Sequence, residues 1–357
     1  MFMCKVKGLL CKSYFIKPAM RYAHDDCAKV LYPLNSRRLL KIGGADSADF
    51  LQGLVTNDMN HFAEGARSMY AMFLNSKGRI LYDTLIHKWE DENAFMIECD
   101  HSVLALLRKH LQMYKLKRKV EIGDLSSGFQ LWALTVPPTI DLESTTDASD
   151  IQHNISMYKD PRLEDLGYRI ITTTNVDQFD LKEVFGKDTV LENDETGYKY
   201  LRYKLGVSEG ADDLFPGASL PLEANCDYLH GVSFHKGCYI GQELLARVYH
   251  TGVVRKRIMP IKFVNVNSVD GLERDAEIIS VDDGTSNVGK LKSYAFNCGL
   301  GLVRIKEALA AQTLCVGPHT IEIVKPAWWP AEAPKEKVKP TTTSQEDEEA
   351  VNENVYI

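Results

Sequence analysis

Alternating apolar and polar positions in the first half of the chain predict short strands interleaved with amphipathic helices. Alternation with a period of two predicts strands at residues 38–44, 68–74, 79–89, 94–99, 120–122, 130–136 and 166–171. Asp46 and Asp100 each stand where a carboxylate can cap a helix. The helix faces that follow are Leu51, Leu54, Val55 and Met59 after Asp46, and Leu104, Leu107, Leu111 and Tyr114 after Asp100. With further helical patterns between residues 180 and 205, the mixture predicts an α+β fold.

The pattern changes after Val253, where short strands and turns dominate. Strands are predicted at residues 257–263, 276–281, 288–293, 299–303 and 320–324. This arrangement predicts a small β-barrel over residues 251–328, after α+β domains over residues 29–250. An irregular acidic insertion, rich in Ser and Thr, is predicted near residues 137–157, and a disordered acidic tail over residues 329–357.

The start of the chain is basic. The first 24 residues contain five Lys or Arg residues and no acidic residue, with apolar residues among them. Such a segment is typical of a mitochondrial transit peptide, which we place at residues 1–28, whereas no run in it is apolar enough for a secretory signal. We therefore expect import into the mitochondrial matrix. No membrane span is expected, since no later stretch approaches the ~20 apolar residues that a transmembrane helix needs.

The overall charge narrows the classes of partner. A formal net charge of −7 argues against general nucleic-acid binding, which needs a basic face, so no nucleic-acid partner is expected. The basic run at residues 115–119 is an exception. It fits a solvated helix end or edge strand, or a docking site for an acidic partner or a polyglutamate tail.

The cysteines are scattered. They stand at positions 4, 11, 27, 99, 226, 238, 298 and 315, without a C-x-x-C or C-x-H motif. Paired short spacings are the usual signature of a self-contained zinc or iron–sulfur site, so this chain is not expected to form one alone. Scattered thiols also fit a reducing compartment better than a disulfide framework. If the protein binds a cluster, another molecule must supply further ligands.

One cysteine, Cys238, lies between Gly237 and Gly241 in the octapeptide at residues 236–243. One helix face continues from there through Ile240, Leu244, Leu245 and Val248. Cys238 is therefore predicted to lie just before or within the first turn of a helix. There the helix dipole, with His235 and Lys236, favours a thiolate, the form that attacks electrophiles and binds soft metals. The alternative is that Cys238 is a small buried filler and that the glycines only shape a turn.

The octapeptide and its flanks, residues 220–225 and 252–257, resemble the signature of the YgfZ branch of the GcvT-like (aminomethyltransferase-like) folate-binding family. Weaker landmarks of that family lie at residues 50–52, 56–58, 75–80 and 299–304. The resemblance covers residues 35–325 and implies a cloverleaf-like fold around a central folate pocket, with the C-terminal β-barrel as its last part. Within the branch, the chain resembles a mitochondrial iron–sulfur cluster assembly factor.

Two positions depart from the aminomethyltransferase pattern. The resemblance places Tyr82 where the transferases carry a catalytic aspartate, and Lys204 where they carry a glutamate that meets the pterin ring. Asp83 is not an easy substitute, because neighbouring residues on a strand point to opposite faces. Glycine-cleavage activity is therefore not expected, and the chain is interpreted as an assembly factor rather than an enzyme. Tetrahydrofolate binding stays open, with Tyr82, Asp83, Arg202 and Glu223 as candidate pocket residues; alternatively, Glu223 is a surface acid and Tyr82 part of a sheet face.

The resemblance implies that Cys238 joins cysteines of an A-type iron–sulfur carrier to bind a shared [2Fe-2S] cluster during late maturation of [4Fe-4S] proteins. The motif residues that would support the sulfur are His235, Lys236, Gly237, Tyr239, Gly241, Gln242 and Glu243. Two alternatives are a folate-dependent one-carbon transferase and a folate-dependent redox or repair protein with Cys238 as nucleophile. Cys226 is either a second participant or structural, whereas Cys298 and Cys315 are expected in the barrel core.

Overall fold

The computed structural model of the protein describes residues 28–89, 93–137, 154–282 and 286–331. The chain divides into two units after Ala327. The described part of the first unit contains two sheets, a closed barrel and the helices that cover them. In the second unit, the rings of Trp328 and Trp329 meet edge to face with centroids 6.4 Å apart.

The strands and helices follow one another along the chain in a mixed order. The strands are β1 (Val30–Pro33), β2 (Arg37–Gly43), β3 (Ser68–Leu74), β4 (Ile80–Lys88), β5 (Ala94–Asp100), β6 (Glu121–Asp124), β7 (Phe129–Thr135), β8 (Ile155–Lys159), β9 (Tyr168–Thr173), β10 (Val190–Leu191), β11 (Lys256–Phe263), β12 (Glu277–Ser280), β13 (Ser286–Ala295), β14 (Cys298–Arg304), β15 (Leu314–Val316) and β16 (His319–Ile323). The α-helices are α1 (Ser47–Gln52), α2 (Leu104–Lys115), α3 (Gln178–Phe185), α4 (Thr196–Leu205), α5 (Gly210–Asp213), α6 (Gln242–Thr251) and α7 (Ile305–Ala310). Short 3-10 turns lie at Met59–Phe62, His101–Val103 and Glu164–Leu166.

The first sheet is antiparallel, with the strand order β3-β4-β5-β2-β6. One of its faces packs on apolar residues of α1 and α2. The buried residues of this core include Ile42, Phe50, Phe73, Ile97 and Leu107. Because side chains alternate between the faces of a strand, Asp83 and Glu98 lie on the opposite face from their core-facing neighbours.

The second sheet has the strand order β10-β1-β7-β9-β8, in which β10 runs parallel to β1 and the other pairs are antiparallel. Helix α3 covers one face and contributes Leu181 and Phe185 to a small apolar core with Ile170. Arg169, next to Ile170 on β9, lies on the other face. Both sheets therefore carry charged side chains on the face turned away from their apolar cores.

The C-terminal part is a closed barrel with the strand order β11-β14-β13-β12-β15-β16. Its interior is tightly packed at Gly301, where an added Cβ would lie 2.6 Å from Ile261 Cδ1 and 2.8 Å from Ile278 Cδ1. Only glycine fits such an approach without a shift of the neighbours. Residues 252–255 lie outside helices and strands and connect α6 to the first barrel strand.

The predicted α+β fold with a C-terminal barrel is confirmed, but the helix after Asp46 differs from its pattern. It ends at Gln52, and Val55 instead forms an isolated bridge with Phe73 of the sheet. The Asp46 side chain does not cap the helix, because its carboxylate accepts a hydrogen bond from Lys119 N at 2.7 Å. The cap predicted at Asp100 does form, with Ser102 N at 2.8 Å, at the 3-10 turn that precedes α2.

Several short elements escaped the sequence pattern. Strand β8 lies at the end of the segment predicted to be irregular, because it completes the edge of the second sheet by pairing with β9. Strand β15 and helix α7 were also not predicted. The remainder of the insertion lies outside the described residues, as does nearly all of the predicted transit peptide and acidic tail. Among the described helices, none combines the length and apolar character needed to cross a bilayer.

Candidate functional site

Cys238 is exposed, on an irregular segment that leads into α6. The helix begins at Gln242, so of the two predicted positions, before the helix or within its first turn, the cysteine takes the first and lies four residues before Gln242. The sulfur is therefore outside the first turn, where the field of a helix is strongest. A Cβ added at Gly237 would meet nothing within 4 Å, so the surface beside the sulfur is open. The alternative that Cys238 is a buried filler is wrong.

Lys236 anchors this segment to the end of α1 and to the loop that follows it. Its ammonium group donates to the carbonyl oxygens of Gln52 at 2.8 Å, Val55 at 2.7 Å and Asn57 at 2.6 Å. It also lies 5.0 Å from the centroid of the Tyr239 ring. Burial lowers the pKa of Lys236 to about 8. All three N–H bonds of the ammonium group are thus used by the backbone, and the residue positions the segment.

Gly241 and an aromatic pair hold the segment on either side of the cysteine. Gly241 has φ of +80°, and a Cβ there would lie 2.3 Å from the carbonyl oxygen of Asn75 in the hairpin between β3 and β4. A side chain at this position is excluded both by the left-handed backbone and by the close approach. Before the cysteine, the Phe234 ring stacks on Tyr249 of α6 with centroids 3.5 Å apart. The thiol is therefore presented on a segment fixed at both ends.

The remaining motif residues divide into held and exposed side chains. Gln242 Oε1 accepts a hydrogen bond from Tyr239 N at 3.0 Å, which closes the turn into α6. Burial raises the pKa of the Tyr239 phenol. Glu243 is exposed and lies 3.8 Å from Arg247 one turn later, and His235 is exposed as well. Among the motif side chains around Cys238, those of His235 and Glu243 are therefore the ones open to solvent.

The other described cysteines differ from Cys238 in their exposure. Cys99, Cys226 and Cys298 are buried, and Cys315 is partly buried. Burial raises the pKa of Cys226, which disfavours its thiolate and its participation beside Cys238. Among the described residues, no group of three or more His, Cys, Asp or Glu side chains is arranged to hold a metal ion. Within the described part of the chain, Cys238 therefore has no companion side chains that would complete a cluster.

A buried charge network joins the polar faces of the two sheets to α4 and α5. Its buried members are Arg37, Asp83, Glu98, Asp160, Arg162, Arg169, Arg202, Glu209 and Asp213. Glu209 lies 2.7 Å from Arg162 and also contacts Arg169, and Arg169 lies 3.3 Å from Glu98. Burial acts to raise the pKa of Glu98, but Arg169 and Arg37 outweigh it and the pKa lies at about 2. The network was not predicted, although single charges inside apolar strands, such as Glu98 and Arg169, were a signal for it.

The four candidate folate residues fall in three separate places. Tyr82 packs edge-on against His110, at 5.9 Å, within the core of the first sheet. Asp83 and Arg202 belong to the buried charge network, and the cavity that borders Arg202 is about 40 Å³. Ligand pockets usually measure roughly 300–1,000 Å³. Glu223 lies apart, between cavities of about 500 and 220 Å³. The four residues therefore do not line one of these cavities together.

Two family models match different parts of the chain. The model of the GCVT N-terminal domain matches residues 30–168, and the model of the CAF17 C-terminal beta-barrel domain matches residues 255–331. Iron-sulfur cluster assembly factor IBA57, mitochondrial, from Mus musculus is 36% identical over 325 residues, which cover 87% of this chain and 88% of that protein. The chain belongs to this family of mitochondrial iron–sulfur cluster assembly factors. The Homo sapiens protein of the same name is 34% identical, with 88% of this chain and 92% of that protein covered.

The fold of the assembly factor is shared with a solved enzyme structure. The glycine cleavage system aminomethyltransferase T from Bartonella henselae superposes with a TM-score of 0.68, over 87% of this chain and 89% of that chain. At 14% sequence identity, this likeness establishes the fold alone. The relatives of the assembly-factor family match most of the chain. In the structure, the segment that carries the exposed Cys238 is the candidate site on the surface, whereas the candidate folate residues are dispersed.

Proposed function

We propose that the protein acts late in the maturation of [4Fe-4S] proteins in the mitochondrial matrix. In this proposal, Cys238 supplies one thiolate to a [2Fe-2S] cluster that it shares with an A-type iron–sulfur carrier. The observation that carries the proposal is the exposure of Cys238 beside open surface, on a segment fixed by Lys236 and Gly241.

The number of available thiols supports a shared rather than a resident cluster. Iron–sulfur clusters are usually held by four cysteine thiolates. The described cysteines other than Cys238 are buried or partly buried. A partner must then contribute the remaining ligands, and the cluster lies at the surface between the two proteins.

The anchored segment also supports this role. A docking partner needs the thiol at a defined position, since ligands are effective when neighbouring contacts fix their orientation. Three hydrogen bonds from Lys236, the fit of Gly241 and the turn closed by Gln242 fix the backbone on both sides of the cysteine. His235 and Glu243 are exposed in the motif and are available to meet the partner.

The deciding experiment compares Cys238→Ala with the wild-type protein. Each is mixed with the A-type carrier, supplied anaerobically with iron and sulfide, and separated by size exclusion with detection of the visible absorption of an iron–sulfur cluster. We expect the wild-type complex to carry a chromophore and Cys238→Ala to lose it. Cys315→Ala, at a partly buried cysteine, is the matched control and should retain it. A variant complex with the same chromophore as wild type would refute the role of Cys238.

The same preparation separates the alternatives. A redox or repair role predicts that Cys238 is alkylated at the same rate with and without the carrier, whereas a shared cluster predicts protection when the carrier and cluster are present. Titration calorimetry with tetrahydrofolate tests the transferase alternative. We expect no micromolar binding, because the candidate pocket residues are dispersed and two of them are already paired inside the buried charge network.

A further inference from the structure

A cavity of about 500 Å³ opens along α6, next to the Cys238 segment. We call it the α6 groove; it lies between α6, the 220–223 segment and residues 252–256. Its wall is largely apolar, with Pro221 and Leu245 buried and Leu244 and Val248 partly buried. A wall of this composition offers a surface for apolar side chains of a bound molecule.

One side of the α6 groove is a stretch of backbone with unused hydrogen-bonding groups. Val253 and Val254 lie outside helices and strands, and within the described residues their N–H and C=O groups make no hydrogen bond. The Val253 side chain is 70% exposed. Backbone that lies outside helices and strands and has free donors and acceptors can pair with an added peptide strand. The groove therefore suits an extended peptide better than a compact ligand.

Charge at the rim indicates the composition of that peptide. Arg255 and Lys256 are exposed along the groove, and Glu223 is its single acidic lining residue and is partly buried. The rim is thus positive in a chain whose formal net charge is −7. Carboxylates on the occupant would meet these two cations, while its apolar side chains would lie on the wall.

The α6 groove and the thiol lie within reach of one docked protein. Gly78 lines the groove, and a Cβ added there would lie 3.1 Å from the carbonyl oxygen of Gly241. Cys238 is three residues before Gly241, which is at most about 11 Å of chain. A partner that completes a cluster at Cys238 could therefore place a neighbouring segment in the groove.

We infer that the α6 groove binds an extended segment, rich in apolar and acidic residues, of the same carrier protein that shares the cluster. The inference rests on the proposed function for the identity of the partner. In the complex, the segment pairs with the backbone of Val253 and Val254 and its carboxylates contact Arg255 and Lys256.

The test uses the full chain and the purified A-type carrier without its cluster, titrated by calorimetry. Val253→Asp places a charge on the groove wall and should weaken binding about tenfold or more. Val324→Asp is the matched control, because Val324 is also exposed, at 51%, and lies outside the groove; its affinity for the carrier should stay within about twofold of wild type. Arg255→Glu should weaken binding about threefold to tenfold, and Arg108→Glu, at an exposed arginine of α2, should not.

Two further measurements keep the outcome separate from that of the cluster experiment. Amide hydrogen exchange at Val253, Val254 and Arg255 should slow when the carrier is added. Cys238→Ala should bind the cluster-free carrier within about twofold of wild type while losing the shared chromophore. If Cys238→Ala keeps the chromophore but Val253→Asp weakens binding, the cluster proposal fails and the groove stands.

The groove inference is overturned by any of three results. The first is that the wild-type protein does not bind the cluster-free carrier. The second is that Val253→Asp binds the carrier as tightly as wild type does, and the third is that Val253→Asp and Val324→Asp lose affinity equally. Light scattering adds a fourth: if wild type self-associates and Val253→Asp does not, the occupant is a second copy of this chain and the carrier assignment is wrong.

Discussion

The Cys238 segment and the buried charge network place reactive groups in opposite environments. In the network, charges of both sheets face one another away from solvent, and the Glu209 carboxylate forms ion pairs with three arginines, Arg162, Arg169 and Arg202. In the segment, a single thiol faces solvent beside open surface, and the polar contacts around it fix backbone rather than the sulfur. The contrast indicates that the buried charges stabilise the fold, whereas the Cys238 thiol at the protein surface is the group available to a partner.

The strongest test of this division removes one charge from the network. Arg169→Met leaves Glu209 and Glu98 without their shared cation in a buried setting, and we expect the free energy of unfolding to fall by about 3–5 kcal/mol. Urea unfolding followed by circular dichroism measures the change. Arg108→Met, at an exposed position, is the control and should change it by less than about 0.5 kcal/mol. If Arg169→Met and Arg108→Met lowered the free energy of unfolding equally, the buried charge network would not be a source of stability.

The second-largest effect is expected from acid, which should protonate Glu98 and reduce the stability that the buried charge network contributes. The pKa of Glu98 lies at about 2 in the folded protein, below its ordinary value of 4.5. A depressed carboxyl pKa gives stability that is complete above the unfolded value, so it is lost as the pH falls from about 4.5 to about 2, and amounts to about 3 kcal/mol. Because Asp83, whose pKa burial raises, acts in the opposite direction, the comparison is between wild type and Glu98→Gln. Urea unfolding across this window should show a shallower decline for Glu98→Gln, and identical slopes would contradict the assignment.

The two regions also differ in how far the sequence predicts them. The Cys238 segment was predicted because its glycines, cysteine and following helix face are close together in the chain, and local spacing is visible in one sequence. The start of α6 was placed too early, since the left-handed turn at Gly241 depends on contact with Asn75 in a distant hairpin. The network is brought together by tertiary packing: Glu98 and Arg169 are 71 positions apart and show locally only as isolated charges in strands.

A smaller effect is expected from the anchor of the Cys238 segment. Lys236→Met removes three hydrogen bonds to backbone carbonyls, and because the site is only partly buried, water can replace some of them. We expect the free energy of unfolding to fall by about 2 kcal/mol. Amide exchange should also quicken at Tyr239 and Ile240, where wild type has hydrogen bonds to Gln242 and Gly53. Unchanged exchange there would show that Lys236 does not hold the segment.

The smallest effect on stability is expected at the residue with the largest proposed role. Cys238→Ser changes an exposed side chain and should alter the free energy of unfolding by less than about 0.5 kcal/mol, since no packed neighbours lose contact. Cys226→Ser is the matched variant, and it should cost about 1–3 kcal/mol because the hydroxyl is buried where a thiol packed. The effect of the two variants on the amount of cluster shared with the carrier should rank in the reverse order. Cys238→Ser should lose the cluster, whereas Cys226→Ser should retain it in proportion to its folded fraction. If both lost the cluster to the same extent at equal folded fraction, the buried thiol would also be a ligand, and the separation between interior stability and surface chemistry would not hold.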